Sequence, residues 1–271
     1  MIKNIIEFIR KKHIGVDLFN GELKAFEKDN IYIDKSIEEI NPSILNAEDN
    51  DSYWYNLNAM KKLLTYVLNS TKKSLFRPIL YIAVPFEISE SKDRKLIIDA
   101  ALQSKWGTVY MVDNFLCSAA GSGIRINEPK RKIYVYHSKK TTYIGVIFAG
   151  GAFNVKILEK EYNQLTKIDI KNKIEKLLSE LSNELPEQFT SVKLPKKDLN
   201  EVARGWRLEI ERKIYISVPS NLKNKFCFNI GKYQLVYLDY ENNILNGLKR
   251  IVGDFKSKKS RKYTYVFFNA L

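Results

Sequence analysis

The chain has 271 residues, of which 45% are apolar and 28% charged, and this composition excludes a disordered protein. Its two widely spaced cysteines, Cys117 and Cys227, argue against a disulfide framework or a structural zinc site, and no apolar run reaches membrane-span length. The formal net charge of +14 favours an anionic partner, either nucleic acid or a membrane surface, unless it serves only solubility.

The first twelve residues, "MIKNIIEFIRKK", predict a short amphipathic helix. Four isoleucines lie at i, i+3, i+4 and i+7, a phenylalanine widens that stripe, and basic residues line the rest or follow it. Such a helix suits an anionic membrane surface. The alternatives are a helix packed on its own domain or a lead-in to the first strand. The predicted membrane-binding residues are Ile2, Lys3, Ile5, Ile6, Phe8, Ile9, Arg10, Lys11 and Lys12.

Strand and helix patterns then alternate along the chain. Residues 13–33 predict two or three strands around an Asn-Gly turn, and "YNLNAMKKLLTYVLNSTKKSLF" predicts a helix. The strand "ILYIAVP", a helix capped by Ser89 or Ser91, the strand "TVYMVD" and the helix "NFLCSAAGSGI" follow. A hairpin over residues 133–148 comes next, with the lysine-containing connection "SKKT". This alternation predicts an α/β fold.

The last third of the chain continues the pattern. Helices are predicted over about 167–185 and 199–209, with mixed coil between them. The strands "KIYISVPS" and "YQLVYLDY", the helix "ENNILNGLKRIVGDF" and the strand-like "YTYVFF" complete the chain.

The middle of the sequence resembles the bacterial actin-like family MreB. In that family a strand ending in "GVP" leads to a helix, a strand, a second helix rich in small residues, and "EP". The counterparts here are Ala83-Val84-Pro85, Ser89–Gln103, Val109–Val112, Asp113–Gly123 and Glu128-Pro129. The resemblance is strongest over residues 57–148 and weaker but collinear at 13–18 and around 213–255.

The resemblance implies an actin-like two-domain α/β fold with mixed sheets covered by helices. With the amphipathic helix at 1–12, the resemblance implies a first domain at 13–125 and a second at 126–271. The outer small subdomains are reduced or missing, because little chain is left for them. In the family, ATP and a metal ion are held by two phosphate hairpins and a glycine loop.

At those positions this sequence departs from the family pattern. Asp17 is retained, but Phe19 stands where a glycine is expected, and Tyr136 replaces the acidic residue of the second hairpin. The third loop, Ile216–Leu222, has no glycine, and Asn114 aligns with the water-activating glutamate. The residues that the resemblance places at a nucleotide are Asp17, Asn20, Gly21, Asn114, Lys139, Lys140, Thr141 and Thr142. No catalytic residue and no metal ligand is assigned.

The resemblance, the departures from it and the basic N-terminal helix together predict a non-hydrolysing cytoskeletal or cell-shape protein without a cofactor, cytoplasmic and peripheral at the inner face of the membrane. Its expected partners are itself or a full-length MreB-like homologue, and the anionic membrane. One alternative is an active ATPase that holds ATP and magnesium, with Lys139 and Lys140 as point charges on the phosphates. Another is a basic nucleic-acid-binding segregation factor. The scattered lysines and the lack of a recognition motif weigh against that last reading.

Overall fold

The structure, a computed structural model, describes residues 10–18, 21–28, 30–40, 52–89, 93–138, 141–160, 164–187, 196–208 and 210–256. These residues form two compact units. The first holds the described residues up to Asn114 together with Leu248–Gly253, and the second holds the described residues of Phe115–Gly247 and of 254–256. The division at residues 125 and 126, with a separate segment 1–12, stays a prediction.

The first unit contains a five-stranded mixed sheet in the order β3-β2-β1-β4-β5. Strands β1, β2 and β3 pair in antiparallel fashion, whereas β4 and β5 continue parallel to β1. The strands are β1 (His13–Asp17), β2 (Glu22–Glu27), β3 (Asn30–Ser36), β4 (Ile79–Val84) and β5 (Thr108–Asp113). The helices are α1 (Ile37–Ile40), α2 (Leu57–Ser70), α3 (Phe86–Ser89) and α4 (Arg94–Gln103), with a 3-10 helix at Ser52–Tyr55.

Helices α2 and α4 share one apolar core with the sheet, as their sequence periodicity predicts. Helix α2 begins after Asn56, whose side-chain oxygen accepts a hydrogen bond from the Ala59 amide at 3.0 Å. The predicted cap of α4 at Ser89 is wrong, because Ser89 ends α3 and α4 begins at Arg94 without a side-chain cap. Ser91 lies outside the described residues.

The second unit repeats the strand topology of the first. Its sheet has the order β10-β9-β6-β7-β8, with an antiparallel β6-β7-β8 meander and with β9 and β10 parallel to β6. The strands are β6 (Lys132–His137), β7 (Thr141–Phe148), β8 (Gly151–Glu159), β9 (Lys213–Ser217) and β10 (Gln234–Tyr237). The helices are α5 (Asn114–Gly121), α6 (Lys167–Glu180), α7 (Lys196–Arg207) and α8 (Asn243–Lys256), with a 3-10 helix at Ser220–Phe226.

Two elements of this unit differ from the sequence-based expectation. Strand β8 follows directly after the β6-β7 hairpin, where no strand was predicted. The long helix ends at Glu180 and not near residue 185. The predicted strand "YTYVFF" lies outside the described residues.

Helices α5 and α8 cross within the second unit at the distance of backbone contact. A Cβ atom added to Gly121 would lie 1.7 Å from the carbonyl oxygen of Asn243, and one added to Gly247 would lie 1.7 Å from that of Cys117. Only glycine fits at either position. Because glycine has no side chain, the backbones of the two helices can contact each other directly. None of the helices in the described part of the chain combines the length and apolar character of a membrane span.

Candidate functional site

In the first unit, the predicted hairpin joins β1 to β2. Asp17 ends β1 and is only 6% exposed, with Lys24 opposite it on β2. Burial alone would lower the pKa of Lys24, but its hydrogen bond to Glu22 and the charges of Glu22, Asp34 and Asp17 raise it. Gly21 adopts a φ of +77°, the left-handed conformation that glycine tolerates. The hairpin therefore keeps its acidic residue and one conformational glycine, while Asn20 lies outside the described residues.

Asn114 starts α5 immediately after β5 and is 3% exposed. Its side-chain oxygen accepts no hydrogen bond from the residues that the structure describes. A buried acceptor without a donor is costly, so this atom is suited to a bound water. The amide can orient such a water but has no basicity with which to activate it.

In the second unit, Tyr136 occupies the position of the family's acidic residue. Its side chain is fully buried in β6 and stacks between two tyrosine rings, 6.0 Å from Tyr143 and 6.1 Å from Tyr240 between centroids. A tyrosine packed against aromatic rings in this way offers no carboxylate oxygen to a hydrated ion.

His137, the last residue of β6, is also buried, at 2% exposure. Its Nδ1 lies 2.8 Å from Thr142 Oγ1, and its ring lies 6.1 Å from that of Phe226. Burial, and then the nearby charge of Lys225, lowers the pKa of His137 to about 4. The imidazole is therefore neutral at physiological pH and satisfies the threonine hydroxyl.

The two threonines of this hairpin have structural partners. The amide of Ser138 donates to the carbonyl oxygen of Thr141 at 2.8 Å, which closes the turn, and the Thr142 hydroxyl is engaged by His137. Lys139 and Lys140 lie outside the described residues, so their predicted phosphate contacts stay predictions.

The third loop, after β9, is held by a buried network that sequence analysis missed. Asn243 Nδ2 donates to Ser217 Oγ at 2.9 Å and to Ser118 Oγ at 2.7 Å, and Ser118 Oγ is 2.5 Å from the hydroxyl of Tyr134. Burial raises the pKa of Tyr134 to about 12. Ser122 Oγ donates to Ser217 Oγ at 3.2 Å, so Ser118 on α5 and Ser122, directly after the end of α5, both face this network. The four-residue spacing of Ser118 and Ser122 is the sequence pattern that could have predicted this network.

The chemistry of these residues does not fit a magnesium-bound ATP at the second hairpin. Magnesium requires oxygen ligands, usually carboxylates and water, and the hairpin offers a buried tyrosine and a neutral histidine. Across the described ranges, no group of three or more His, Cys, Asp or Glu side chains is arranged to hold a metal ion.

Most of the predicted membrane segment, including Ile2, Lys3, Ile5, Ile6, Phe8 and Ile9, lies outside the described residues. Arg10 and Lys11 are described, and Arg10 is exposed. Lys12 is 4% exposed, and its Nζ donates to the carbonyl oxygen of Lys72 at 2.6 Å and lies 3.8 Å from Glu27 Oε2. Lys12 is thus part of the packing of the first unit and not of an exposed basic face.

Two units that repeat the same five-stranded order, each with a hairpin after its first strand, define an actin-like α/β protein. The MreB/Mbl protein family model matches residues 51–184 of the 271-residue chain, which is an MreB-like protein with an actin-like fold. The predicted family resemblance and fold class are confirmed.

Solved structures agree with this fold. MreB5 of Spiroplasma citri bound to ADP is 14% identical with a TM-score of 0.59, and the match covers 91% of this chain and 97% of that one. The AMPPNP-bound form of MreB5 has the same identity and coverage and a TM-score of 0.57. The apo pSK41 ParM protein is 9% identical with a TM-score of 0.50, over 90% of this chain and 98% of its own. No curated protein sequence matches the chain.

Proposed function

We propose that this chain is a non-hydrolysing MreB-like scaffold protein that assembles with itself or with a full-length homologue at the inner face of the cell membrane. The observation that carries the loss of hydrolysis is the second hairpin. Its acidic position holds the buried Tyr136, and the adjacent His137 is neutral. The similar MreB5 of Spiroplasma citri binds ADP and AMPPNP, and we propose that this chain differs from it at the second hairpin. Without a carboxylate there, the charge of a hydrolytic transition state lacks preorganised stabilisation.

We expect the purified protein to release no phosphate from magnesium-ATP above the background rate. The Asp17→Ala variant is expected to give the same result, because the remaining carboxylate cannot act without the second one. Steady-state phosphate release measures this directly. Hydrolysis that disappears in Asp17→Ala would contradict the proposal. A rise in melting temperature with ATP but without hydrolysis would show nucleotide binding by a non-catalytic site, consistent with the proposal.

Membrane association is supported by a loop of the first unit as well as by the N-terminal sequence. Leu75 and Phe76 are 59% and 50% exposed, unusual for two adjacent large apolar side chains. Lysines 72 and 73 and Arg77 flank them. The hydrogen bond from Lys12 to the Lys72 carbonyl oxygen places the end of the N-terminal segment beside this loop. Apolar insertion and attraction to anionic lipid act together on such a surface.

We expect the protein to sediment with anionic phosphatidylglycerol vesicles and much less with neutral phosphatidylcholine vesicles. A Leu75→Ser and Phe76→Ser double variant should lose most of this binding, because about 1.5–3 kcal/mol of apolar transfer is lost per side chain. The matched control is Ile168→Ser in the second unit, an isolated apolar residue that is 69% exposed. Equal sedimentation of both variants would refute a role for the loop.

A truncation tests the N-terminal segment separately. Removal of residues 1–9 should weaken sedimentation and leave the melting temperature unchanged. The truncation must spare Lys12, because its side chain and its carbonyl oxygen bond to Lys72 and Ile79. Unchanged sedimentation after this truncation would assign membrane binding to the loop alone.

A further inference from the structure

We infer that a cavity of about 300 Å³ in the second unit binds a small oxyanion, a phosphate or carboxylate group, at a site separate from the predicted nucleotide hairpins. The cavity lies between the turn after α5, the segment that enters β6, and the start of β9. Its walls include Arg125, Glu128, Lys130, Lys132, Glu211 and Tyr215. The inference does not depend on whether the chain hydrolyses ATP or binds membrane.

The central feature of the cavity is a buried ammonium group. The Lys132 side chain is 7% exposed. Its Nζ donates to the Arg125 carbonyl oxygen at 2.9 Å and to Glu128 Oε2 at 2.6 Å. An ammonium has three N–H donors, and among the described residues these two acceptors are its partners. The third donor is therefore available to a molecule in the cavity that this side chain lines.

The charges around this ammonium leave one positive charge in excess. Three cations and two carboxylates line the cavity. Glu128 is shared between Lys132 and Arg125, at 2.6 Å and 3.5 Å, and the hydrogen bond from Lys132 lowers the pKa of its carboxyl. Arg125 is 84% exposed, and among the described residues its guanidinium has only that longer contact, so it can turn toward an anion.

The second carboxylate is also compensated from within the protein. Tyr215 donates its hydroxyl hydrogen to Glu211 Oε1 at 2.9 Å, and Lys130 Nζ lies 3.8 Å from Glu211 Oε2. Burial, together with Glu211, raises the pKa of Tyr215 to about 12, so the phenol keeps its proton. Glu128 and Glu211 are therefore both paired with cations of the protein. The one positive charge in excess is available to an anionic ligand.

The backbone around the cavity is fixed by hydrogen bonds to the turn between β7 and β8. The amide of Ala149 donates to the Glu128 carbonyl oxygen at 2.9 Å, and the amide of Gly150 donates to that of Ile126 at 2.8 Å. A segment held in this way presents Glu128 and Lys132 in a set geometry, which lowers the entropic cost of binding.

The size and walls of the cavity define the ligand class. A volume of about 300 Å³ is at the lower end of small-molecule sites. Ile124 and Leu238 are its apolar liners, so it offers little surface to a hydrophobic ligand. One excess positive charge and a spare ammonium donor favour a single oxyanion group.

A melting-temperature titration of the full chain tests the inference. Inorganic phosphate and succinate are compared with sodium chloride at equal ionic strength, using the wild type, Arg125→Ala, Lys132→Met and the control Arg207→Ala. Arg207 is an exposed cation on α7, away from the cavity lining. A general salt effect on stability would be common to all four proteins.

Phosphate, succinate or both are expected to raise the melting temperature of the wild type and of Arg207→Ala equally. Loss of one charge-assisted contact in Arg125→Ala should weaken the apparent affinity about tenfold. Lys132→Met should abolish the specific rise, and if that variant does not fold, the exposed Arg125 supplies the test alone. A rise with phosphate alone identifies a phosphate site, and a rise with succinate alone identifies a carboxylate site. No rise beyond chloride with either anion, or equal rises in Arg125→Ala and the wild type, would overturn the inference.

Discussion

Replacing Gly247 by alanine is expected to lower the free energy of unfolding by about 3 kcal/mol, the upper part of the usual range for overpacking. The new methyl group would lie 1.7 Å from the Cys117 carbonyl oxygen, and a backbone atom cannot move aside as a flexible side chain does. Helices α5 and α8 would have to separate, and the hydrogen bond between Asn243 and Ser118 would be strained with them. Urea unfolding followed by circular dichroism measures the change.

Gly253 provides a matched control on the same helix. A Cβ atom added there meets nothing within 4 Å. Gly253→Ala should therefore raise stability by up to about 1 kcal/mol, because alanine loses less backbone entropy in a helix. If the two variants shift the urea midpoint in the same direction, the close crossing does not hold the second unit together.

The second large effect is a loss of stability on mild acidification that is traceable to one histidine. His137 has a pKa of about 4 in the folded protein, against 6.5 for an unperturbed imidazole. Between these values the unfolded chain binds a proton that the folded chain does not, so stability rises with pH across this window and is complete above it. A shift of this size corresponds to as much as about 3 kcal/mol.

The variant His137→Asn isolates this contribution. Asparagine can keep a hydrogen bond to Thr142 but does not titrate, so its stability should change less than that of the wild type between pH 6.5 and pH 4. His13→Asn, which retains His137, should keep the acid-dependent loss that His137 contributes. Urea midpoints at several pH values give both slopes. Parallel curves for the wild type and His137→Asn would show that His137 does not carry the effect.

Much of the fold could be predicted because its signals are local. Runs rich in β-branched and aromatic residues predicted β1, β4 and β6, and helical patterns predicted α2 and α8. Strand β8 was missed because its alternation is broken. Asn154 has a φ of +50°, and the register of β8 with β7 shifts at the facing residues Ile144 and Val146. A bulge of this kind is set by pairing with β7, which a single sequence segment does not reveal.

The sequence predicted which positions form the candidate site, but not which residues surround their side chains. The family resemblance indicated that Tyr136 replaces a carboxylate. The rings that stack on Tyr136, however, come from Tyr143 and from Tyr240, and Tyr240 lies 104 residues further along the chain (240 − 136). Lys12 was assigned to a basic terminal stripe because lysine is usually exposed. Its burial depends on a carbonyl oxygen 60 residues further along the chain. Contacts of that range leave no periodic trace in the sequence.

Helix α8 also determines when the protein can fold during synthesis. Its residues Leu248–Gly253 belong to the first unit, and Asn243 bonds to Ser118, 125 residues earlier in the second. Neither unit is complete until this late segment has left the ribosome, although the five strands of the first unit have all been made by residue 113. Such long-range closure slows folding and leaves apolar surface open in the nascent chain. The strands of the first unit are therefore synthesised before the segment of α8 that completes this unit.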